Sequence, residues 1–157
     1  MIVHLDNNPG DNECQDAAVY GELLPDGELR PASLALLAAA RDLVYGSGPR
    51  TALLLIGDGL VETARRFYAN GADRVFVYDD PSLKEYDAER YAAVVNHFVT
   101  NYKPSAILFD DTPQGQALLA PLGTVEAFDG WEDPVNDPDR KGELIICEMP
   151  GEIVNSQ

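Results

Sequence analysis

Cysteine and histidine are scarce in this sequence of 157 residues, which contains two of each. Cys14 and Cys147 lie far apart in the chain, so their spacing excludes a zinc knuckle and argues against a disulfide framework. Neither has a basic neighbour that would lower the pKa of its thiol. His4 lies near the terminus, and His97 falls on a predicted helix as an ordinary core- or solvent-facing residue. The sequence therefore supplies no nucleophile–base set, and we expect no catalytic residues.

Long apolar runs are also missing. No stretch of 18 or more apolar residues occurs, so no membrane span is predicted. The first ten residues lack the basic and apolar segments of a secretory signal. With 45% apolar residues in 157, the chain can bury a core as one compact unit. We expect a cytoplasmic protein.

Basic residues are few: 11 lysines and arginines stand against 27 acidic residues, for a net charge of −16. Most of the acidic excess lies in segments 1–16 and 126–157. Such a chain should bind neither nucleic acid nor anionic membrane surfaces. Two interpretations stay open: the charge only keeps the domain soluble, or an acidic patch attracts a basic protein partner.

Phosphate-binding motifs are absent. Neither Gly-x-Gly-x-x-Gly nor Gly-x-x-x-x-Gly-Lys-Ser/Thr occurs. The turn Leu24–Gly27 is not glycine-rich, and Gly57-Asp58-Gly59 places an acid between two glycines, which suits a tight turn better than a phosphate cradle. The chain alone is therefore not expected to bind a nucleotide or a flavin.

Alternating strands and helices are what the sequence does contain. Strands are predicted at 17–24, 51–56, 75–78 and 106–109, with edge strands at 2–5 and 143–148; helices are predicted at 34–44, 60–70, 87–101 and 116–119. This alternation predicts an α/β fold, a three-layer α/β/α sandwich with a mainly parallel sheet. We expect the sheet to be built on Val19, Leu54, Val77 and Leu108.

Helix ends are marked by particular residues. Ser33 is predicted to cap the first helix at its N-terminus, and Asp87 is predicted to cap the third. Gly71 is predicted to end the second helix.

Acidic residues dominate the predicted carboxyl ends of the strands, where ligands of open α/β sheets bind. Asp79-Asp80 and Asp110-Asp111 could hold a hard cation through their oxygens. The alternative is that these side chains cap helices and solvate loops, and we assign no metal ligand.

Three stretches of the chain resemble one known family. They are DGELRPASL at residues 26–34, GADRVFVYDDP with YDAERY at residues 71–91, and KPSAILF followed by a Thr-x-x-Gly turn at residues 103–115. These stretches resemble the N-terminal domain of the electron transfer flavoprotein alpha subunit. The resemblance extends from Ala17 to Val125.

The turn after the fourth predicted strand both matches that family and departs from it. Thr112, Gly115 and Pro121 stand at the family's positions for this turn. Gln116 and Ala117 occupy the places where the family usually has an arginine and an aspartate. Because glutamine does not replace arginine as a bidentate anion binder, the contact that this pair makes in relatives is not expected here.

The resemblance implies a Rossmann-like, adenine-nucleotide-hydrolase-like fold, a domain organisation and a function. Residues 1–16 are expected to be an extension, 17–125 the family's N-terminal domain, and 126–157 an acidic segment with one edge strand. The family pairs alpha with beta subunits as heterodimers and carries electrons from dehydrogenases on FAD held mainly in a second domain. The resemblance therefore implies a scaffold and interface domain that carries no cofactor itself, with a beta-type subunit and a dehydrogenase as partners.

Two further alternatives are left open. The chain could instead be a stand-alone binding or regulatory module that kept the fold without redox chemistry. Phe128 and Trp131, inside the acidic segment, are expected either to fold back on the sheet or to mark a partner surface, with folding back favoured because tryptophan is highly buried on average.

Overall fold

Strands and helices alternate through the chain, as the sequence predicts. The computed structural model describes residues 2–4, 16–44, 50–122, 125–126, 139 and 142–149. The strands are β1 (Ile2–His4), β2 (Ala17–Tyr20), β3 (Thr51–Gly57), β4 (Arg74–Asp79), β5 (Ala106–Leu108), β6 (Val125–Glu126) and β7 (Glu143–Ile146). The helices are α1 (Pro31–Val44), α2 (Val61–Ala64), α3 (Ala88–Tyr102) and α4 (Pro113–Leu119), and three 3₁₀ turns cover Arg65–Asn70, Pro81–Leu83 and Ala120–Leu122.

The described strands form one sheet in the order β6-β1-β5-β2-β3-β4-β7. Strand β2 pairs in parallel with β3 and β5, and β4 pairs in parallel with β3 and β7. Strand β1 runs antiparallel to both of its neighbours. The predicted α/β fold with a mainly parallel sheet is confirmed.

Each face of the sheet buries its own apolar layer. Alternate residues of β3 point to opposite sides, so Leu54 packs with one buried cluster and Leu53 with the other. Helices α3 and α4 cover the first face through residues that include Phe98 and Leu118. Helix α1 and the segment that follows β3 cover the second face, through residues such as Leu37. Because β3 is buried along its whole length, its sequence is largely apolar and does not alternate between apolar and polar residues.

The N-terminal strand was predicted at an edge of the sheet, and this is wrong. Strand β1 lies between β5 and β6, with Val3 opposite Ile107 on one side and Val125 on the other. The reason is that two residues of β6 add a further antiparallel pair, which is too short to be visible as a strand pattern in sequence. The prediction of an edge strand near residue 143 is confirmed, since β7 pairs only with β4 among the described strands.

The first helix begins two residues earlier than its predicted cap. Pro31 is its first residue, because proline lacks the amide hydrogen that a first helical position leaves unused. Ser33 is therefore inside the first turn and is not the N-cap. Its hydroxyl is fully buried and accepts a hydrogen bond of 3.1 Å from the amide of Glu22.

Other predicted boundaries shift for local reasons. Strand β2 ends at Tyr20 rather than at residue 24, and the chain beyond it folds back so that Leu23 and Leu29 form an isolated antiparallel bridge. The second predicted helix is α-helical only in α2 and continues as a 3₁₀ turn. It ends, as predicted, at Gly71, whose φ of 106° only glycine adopts without strain.

The described helices include none that is long and apolar enough to cross a membrane. Phe128, Trp131 and Cys14 lie outside the described residues.

The cap of α3 provides a test of the fold. Asp87 accepts hydrogen bonds from the amides of Glu89 and Arg90, as the sequence predicts. Replacing Asp87 by alanine leaves both amides without this partner and should lower the free energy of unfolding by about 1 kcal/mol in urea denaturation. Asn96→Ala, on the exposed middle of the same helix, is the control and should not lower it. Equal effects of the two substitutions would contradict the assigned cap.

Candidate functional site

The carboxyl ends of β2, β3, β4 and β5 meet at one edge of the sheet. From β2 the chain proceeds to β3 and β4 on one side, and then returns to place β5 on the other side of β2. The order of strands therefore reverses between β2 and β5. Crevices outside such a reversal are where open α/β sheets bind their ligands, so this edge is the candidate site.

Four side chains join the loops that follow β2 and β5, and we call them the switch-point network: Glu22, Arg30, Asp110 and Thr112. One Glu22 carboxylate oxygen accepts a hydrogen bond of 2.7 Å from the Thr112 hydroxyl. The other lies 3.5 Å from Nε of Arg30. Nη2 of Arg30 donates a hydrogen bond of 3.1 Å to Asp110. The network thus ties together two loops that are 80 or more residues apart in sequence.

The backbone around Glu22 strengthens this network. The amide of Glu22 donates to Ser33, and its carbonyl accepts a 2.9 Å hydrogen bond from the amide of Arg30. Glu22 is only 8% exposed, so these partners stabilise its carboxylate in place of water. Arg30 is shared between two carboxylates, and it is therefore poorly placed to bind an external anion.

The turn that resembles the family's motif is built on Thr112 and Gly115. Thr112 is the N-cap of α4, and its hydroxyl accepts a hydrogen bond of 2.9 Å from the amide of Gly115. A Cβ atom on Gly115 would lie 2.1 Å from the carbonyl oxygen of Asp110, so only glycine fits there. Pro121 is exposed in the 3₁₀ turn after α4 and does not join this contact. The structure therefore gives Thr112 and Gly115 roles in holding the turn.

The two positions that depart from the family pattern lie at the surface. Gln116 and Ala117 are both exposed on α4. The Gln116 amide donates to the carboxylate of Asp111. This polar contact is local to the turn.

A cleft of about 420 Å³ opens beside the network. Three tyrosines, Tyr20, Tyr86 and Tyr91, form much of its lining together with aliphatic side chains. Its charged lining residues are Asp58 and Lys84. The cleft therefore offers aromatic surface and one charge of each sign.

The tyrosines of the cleft remain neutral near pH 7. Burial raises the pKa of Tyr91 to about 12 and that of Tyr20 well above its usual value. The Tyr91 hydroxyl donates to the carbonyl of Leu83, and the Tyr20 hydroxyl donates to the side chain of Gln114. These groups can supply packing surface, but they are too weakly acidic to act as bases or nucleophiles at neutral pH.

The family's FAD would need a place for its pyrophosphate, and the described residues do not fit one. Amides at the starts of α3 and α4, and those just before α2, are already bound by this chain's own side chains. Asp79 accepts from the amides of Gly59 and Leu60 at 2.7 and 3.0 Å, and Asp87 and Thr112 cap α3 and α4. A phosphate near these amides would also be repelled by the carboxylates of Asp79 and Asp87.

The aspartates considered as cation ligands contact groups of this chain instead. Asp80 accepts hydrogen bonds from the amide and hydroxyl of Ser82, which lower the pKa of its carboxyl below the usual value. Asp110 pairs with Arg30. In the described parts of the chain, no three His, Cys, Asp or Glu side chains come together as a metal site requires.

A separate polar cluster lies beneath α3. The hydroxyl of Tyr78 and Nδ1 of His97 share a hydrogen bond of 2.7 Å. Cys147 is buried close by, and burial raises the pKa of its thiol. A neutral, buried thiol is inert, so this cluster is part of the core and adds no reactive group.

Acidic residues at this edge were predicted from the sequence, but their ion pairs with Arg30 were not. Glu22 falls inside the first predicted strand, 17–24, and Arg30 inside a stretch that resembles the family. Their contact was missed because it depends on the loop between them folding back at the Leu23–Leu29 bridge. An arginine directly before a helix-starting proline, eight residues after a strand-end glutamate, is the signal that could have suggested it.

Comparisons with known proteins agree with the family resemblance seen in the sequence. The electron transfer flavoprotein domain model matches residues 18–125. Subunit LctC of the lactate dehydrogenase (NAD(+),ferredoxin) of Acetobacterium woodii is 38% identical over 93 residues, which cover 59% of this chain and 22% of the relative. The electron transfer flavoprotein subunit alpha of Megasphaera elsdenii is also 38% identical over 93 residues, covering 59% of this chain and 28% of that protein.

The corresponding subunit alpha of Bacillus subtilis is 34% identical over 104 residues, or 66% of this chain and 31% of the relative. The chain therefore spans less than a third of the length of these relatives.

The close approach at Gly115 gives a prediction for the turn. Gly115→Ala should lower the free energy of unfolding by at least about 2 kcal/mol, because the added methyl group meets a backbone oxygen that has no room to move. Gly57→Ala is the matched control, since its Cβ would first meet a flexible Leu60 side chain at 3.1 Å. Thermal and urea unfolding measure both, and a Gly115→Ala variant as stable as the parent would show that the turn is not so tightly packed.

The neutral tyrosines give a prediction about pH. The pKa of a tyrosine is about 10 in the unfolded chain, whereas that of Tyr91 is about 12 in the fold. Between these two values the unfolded chain releases a proton that the folded chain keeps, so the free energy of unfolding should fall as the pH rises. Tyr91→Phe should lose less stability than the parent across this window in urea denaturation. Parallel losses in the two proteins would exclude a contribution from Tyr91.

Proposed function

The chain belongs to the electron transfer flavoprotein family, and from that premise we propose that it serves as an alpha-type N-terminal domain in electron transfer from dehydrogenases. The observation that carries this proposal is the family match over residues 18–125, which includes β2 to β5 and the turn at Thr112. Of the relatives described above, one is named as a subunit of a lactate dehydrogenase (NAD(+),ferredoxin), and two are named as electron transfer flavoprotein subunit alpha. We propose the same role for the assembly in which this chain takes part.

Within that assembly we assign this domain to scaffolding and subunit contact. The helix-end amides at the carboxyl edge are capped by Asp79, Asp87 and Thr112, which argues against a flavin pyrophosphate bound by the described residues alone. FAD would then be held elsewhere in the assembly, as the family resemblance implies. The domain contributes shape and surface, and we do not assign it a catalytic role.

The proposed division of the chain follows the same reasoning. Residues 17–125 would form the family domain, with 1–16 as an extension and 126–157 as an acidic segment. We place the protein in the cytoplasm and expect a beta-type subunit as its partner in a heterodimer, with a dehydrogenase as a further partner. No observation in the described residues favours a stand-alone module.

One exposed apolar residue is our candidate for the subunit contact. Ile146 on the edge strand β7 is 62% exposed, more than any other large apolar side chain in the described residues. Among the described residues β7 is an edge strand, and an exposed isoleucine on such a strand is consistent with a surface that a partner covers. We therefore propose that β7 contributes to the interface.

Co-expression with a beta-type electron transfer flavoprotein subunit tests the proposal. Sedimentation of the purified mixture should show a heterodimer, and the chain purified alone should lack the visible absorbance of a flavin. Ile146→Lys should weaken the association by about tenfold or more if Ile146 lies in the interface. Asn96→Lys makes the same change at an exposed position on α3 and should leave the association unchanged.

Two results would overturn parts of this proposal. If the chain stays monomeric beside the beta-type subunit, the role as a subunit is wrong. If the chain alone carries stoichiometric flavin, the assignment of FAD to another part of the assembly is wrong.

A further inference from the structure

The loops around the cleft at the carboxyl edge are strongly acidic. Segments 21–30, 58–60, 79–87 and 109–112 contain ten acidic residues and two basic ones, Arg30 and Lys84. The acidic residues are Glu22, Asp26, Glu28, Asp58, Asp79, Asp80, Glu85, Asp87, Asp110 and Asp111. Arg30 is engaged by Glu22 and Asp110. The surface around the cleft therefore favours a cationic group and disfavours a phosphate.

The cleft itself has the lining that suits a planar cation. Tyr86 is 40% exposed and stands edge to face against Tyr91, with ring centroids 5.0 Å apart. Asp58 supplies an exposed carboxylate in the same lining. A guanidinium stacks on tyrosine faces and forms paired hydrogen bonds to carboxylates, whereas an ammonium is a more strongly hydrated point charge.

We infer that this cleft receives an arginine side chain from a protein partner. The volume of about 420 Å³ exceeds that of any amino-acid side chain, so the cleft can hold the arginine and part of its flanking backbone. Tyr86 provides the exposed aromatic surface and is held in place by the buried Tyr91, and Asp58 provides the charge. Lys84, which also lines the cleft, is exposed and can turn its ammonium toward Glu85 or solvent. The inference does not depend on which protein the partner is.

Arginine is a common anchor of protein interfaces because it combines a large contact area with charge. The acidic loops would speed its approach, and the cleft would hold it. The surface thus fits a partner that presents an arginine on a basic face, and it rejects an acidic partner.

A charge-matched peptide series tests the inference with the full chain. The ¹⁵N-labelled protein is titrated with acetyl-Gly-Arg-Gly-amide, and with the same peptide carrying citrulline, which has nearly the same shape but no charge. The arginine peptide should shift the amide signals of Asp58, Gly59 and Tyr86 in a saturable way, and the citrulline peptide should not. Raising the salt concentration to about 150 mM should weaken the binding.

Variants of the protein locate the binding. Tyr86→Ala should raise the dissociation constant about threefold or more by removing aromatic surface, and Asp58→Asn should raise it about two- to fivefold. Tyr86→Phe keeps the ring and should bind as the parent does. Glu143→Gln removes one charge at the opposite edge of the sheet and should have no effect.

Three outcomes would overturn the inference. Equal binding of the citrulline peptide would show that the cleft recognises shape without charge. Equal weakening by Glu143→Gln and Asp58→Asn would show that the peptide is attracted by the net charge alone. A lack of response at the cleft amides would show that arginine does not enter it. None of these results bears on association with a beta-type subunit, which is measured separately.

Discussion

The switch-point network is the constraint on which the rest of the carboxyl edge depends. Glu22 and Arg30 lie on the loop that leads into α1, and Thr112 and Asp110 lie on the loop that leads into α4. These helices cover opposite faces of the sheet, so one set of polar contacts fixes the start of a helix in each outer layer. Removing one partner of a buried carboxylate strongly lowers the free energy of unfolding, so the four residues depend on one another for their stability.

The same edge explains why we assign no nucleotide to the described residues, although the fold is one that often binds nucleotides. Parallel sheets place helix N-termini around their carboxyl edge, and those amides attract anions. In this chain Asp79, Asp87 and Thr112 bind such amides, Glu22 and Asp110 pair with Arg30, and Asp58 lines the cleft. The edge is therefore an acidic, tyrosine-lined surface, whose charge and lining fit a basic protein surface better than the pyrophosphate of a dinucleotide.

Much of the fold could be predicted from local sequence. Strand β3 is apolar on both faces because it is central, and Asp87 and Gly71 mark helix ends through contacts within a few residues of themselves. Such signals need no knowledge of the tertiary structure.

Features that depend on distant segments could not be predicted in this way. The position of β1 depends on a two-residue strand more than 120 residues away. The Ser33 hydroxyl accepts a hydrogen bond from the amide of Glu22 instead of capping its own helix. The pairing of Arg30 with Asp110 joins residues 80 positions apart. The family resemblance marked Thr112 and Gly115 as notable, but only the geometry shows that both hold the turn.

A double-mutant cycle between Glu22 and Thr112 tests most directly the claim that the family-like turn is maintained by this network. The free energies of unfolding of Glu22→Met, which keeps the length of the side chain but has no oxygen to accept the hydrogen bond, Thr112→Val and the double variant are compared with that of the parent. The 2.7 Å hydrogen bond between the two side chains predicts a coupling free energy of about 1–2 kcal/mol, because each single change leaves the other group without its partner. Additive effects, with a coupling near zero, would contradict the account and show that the two loops are held together by packing alone.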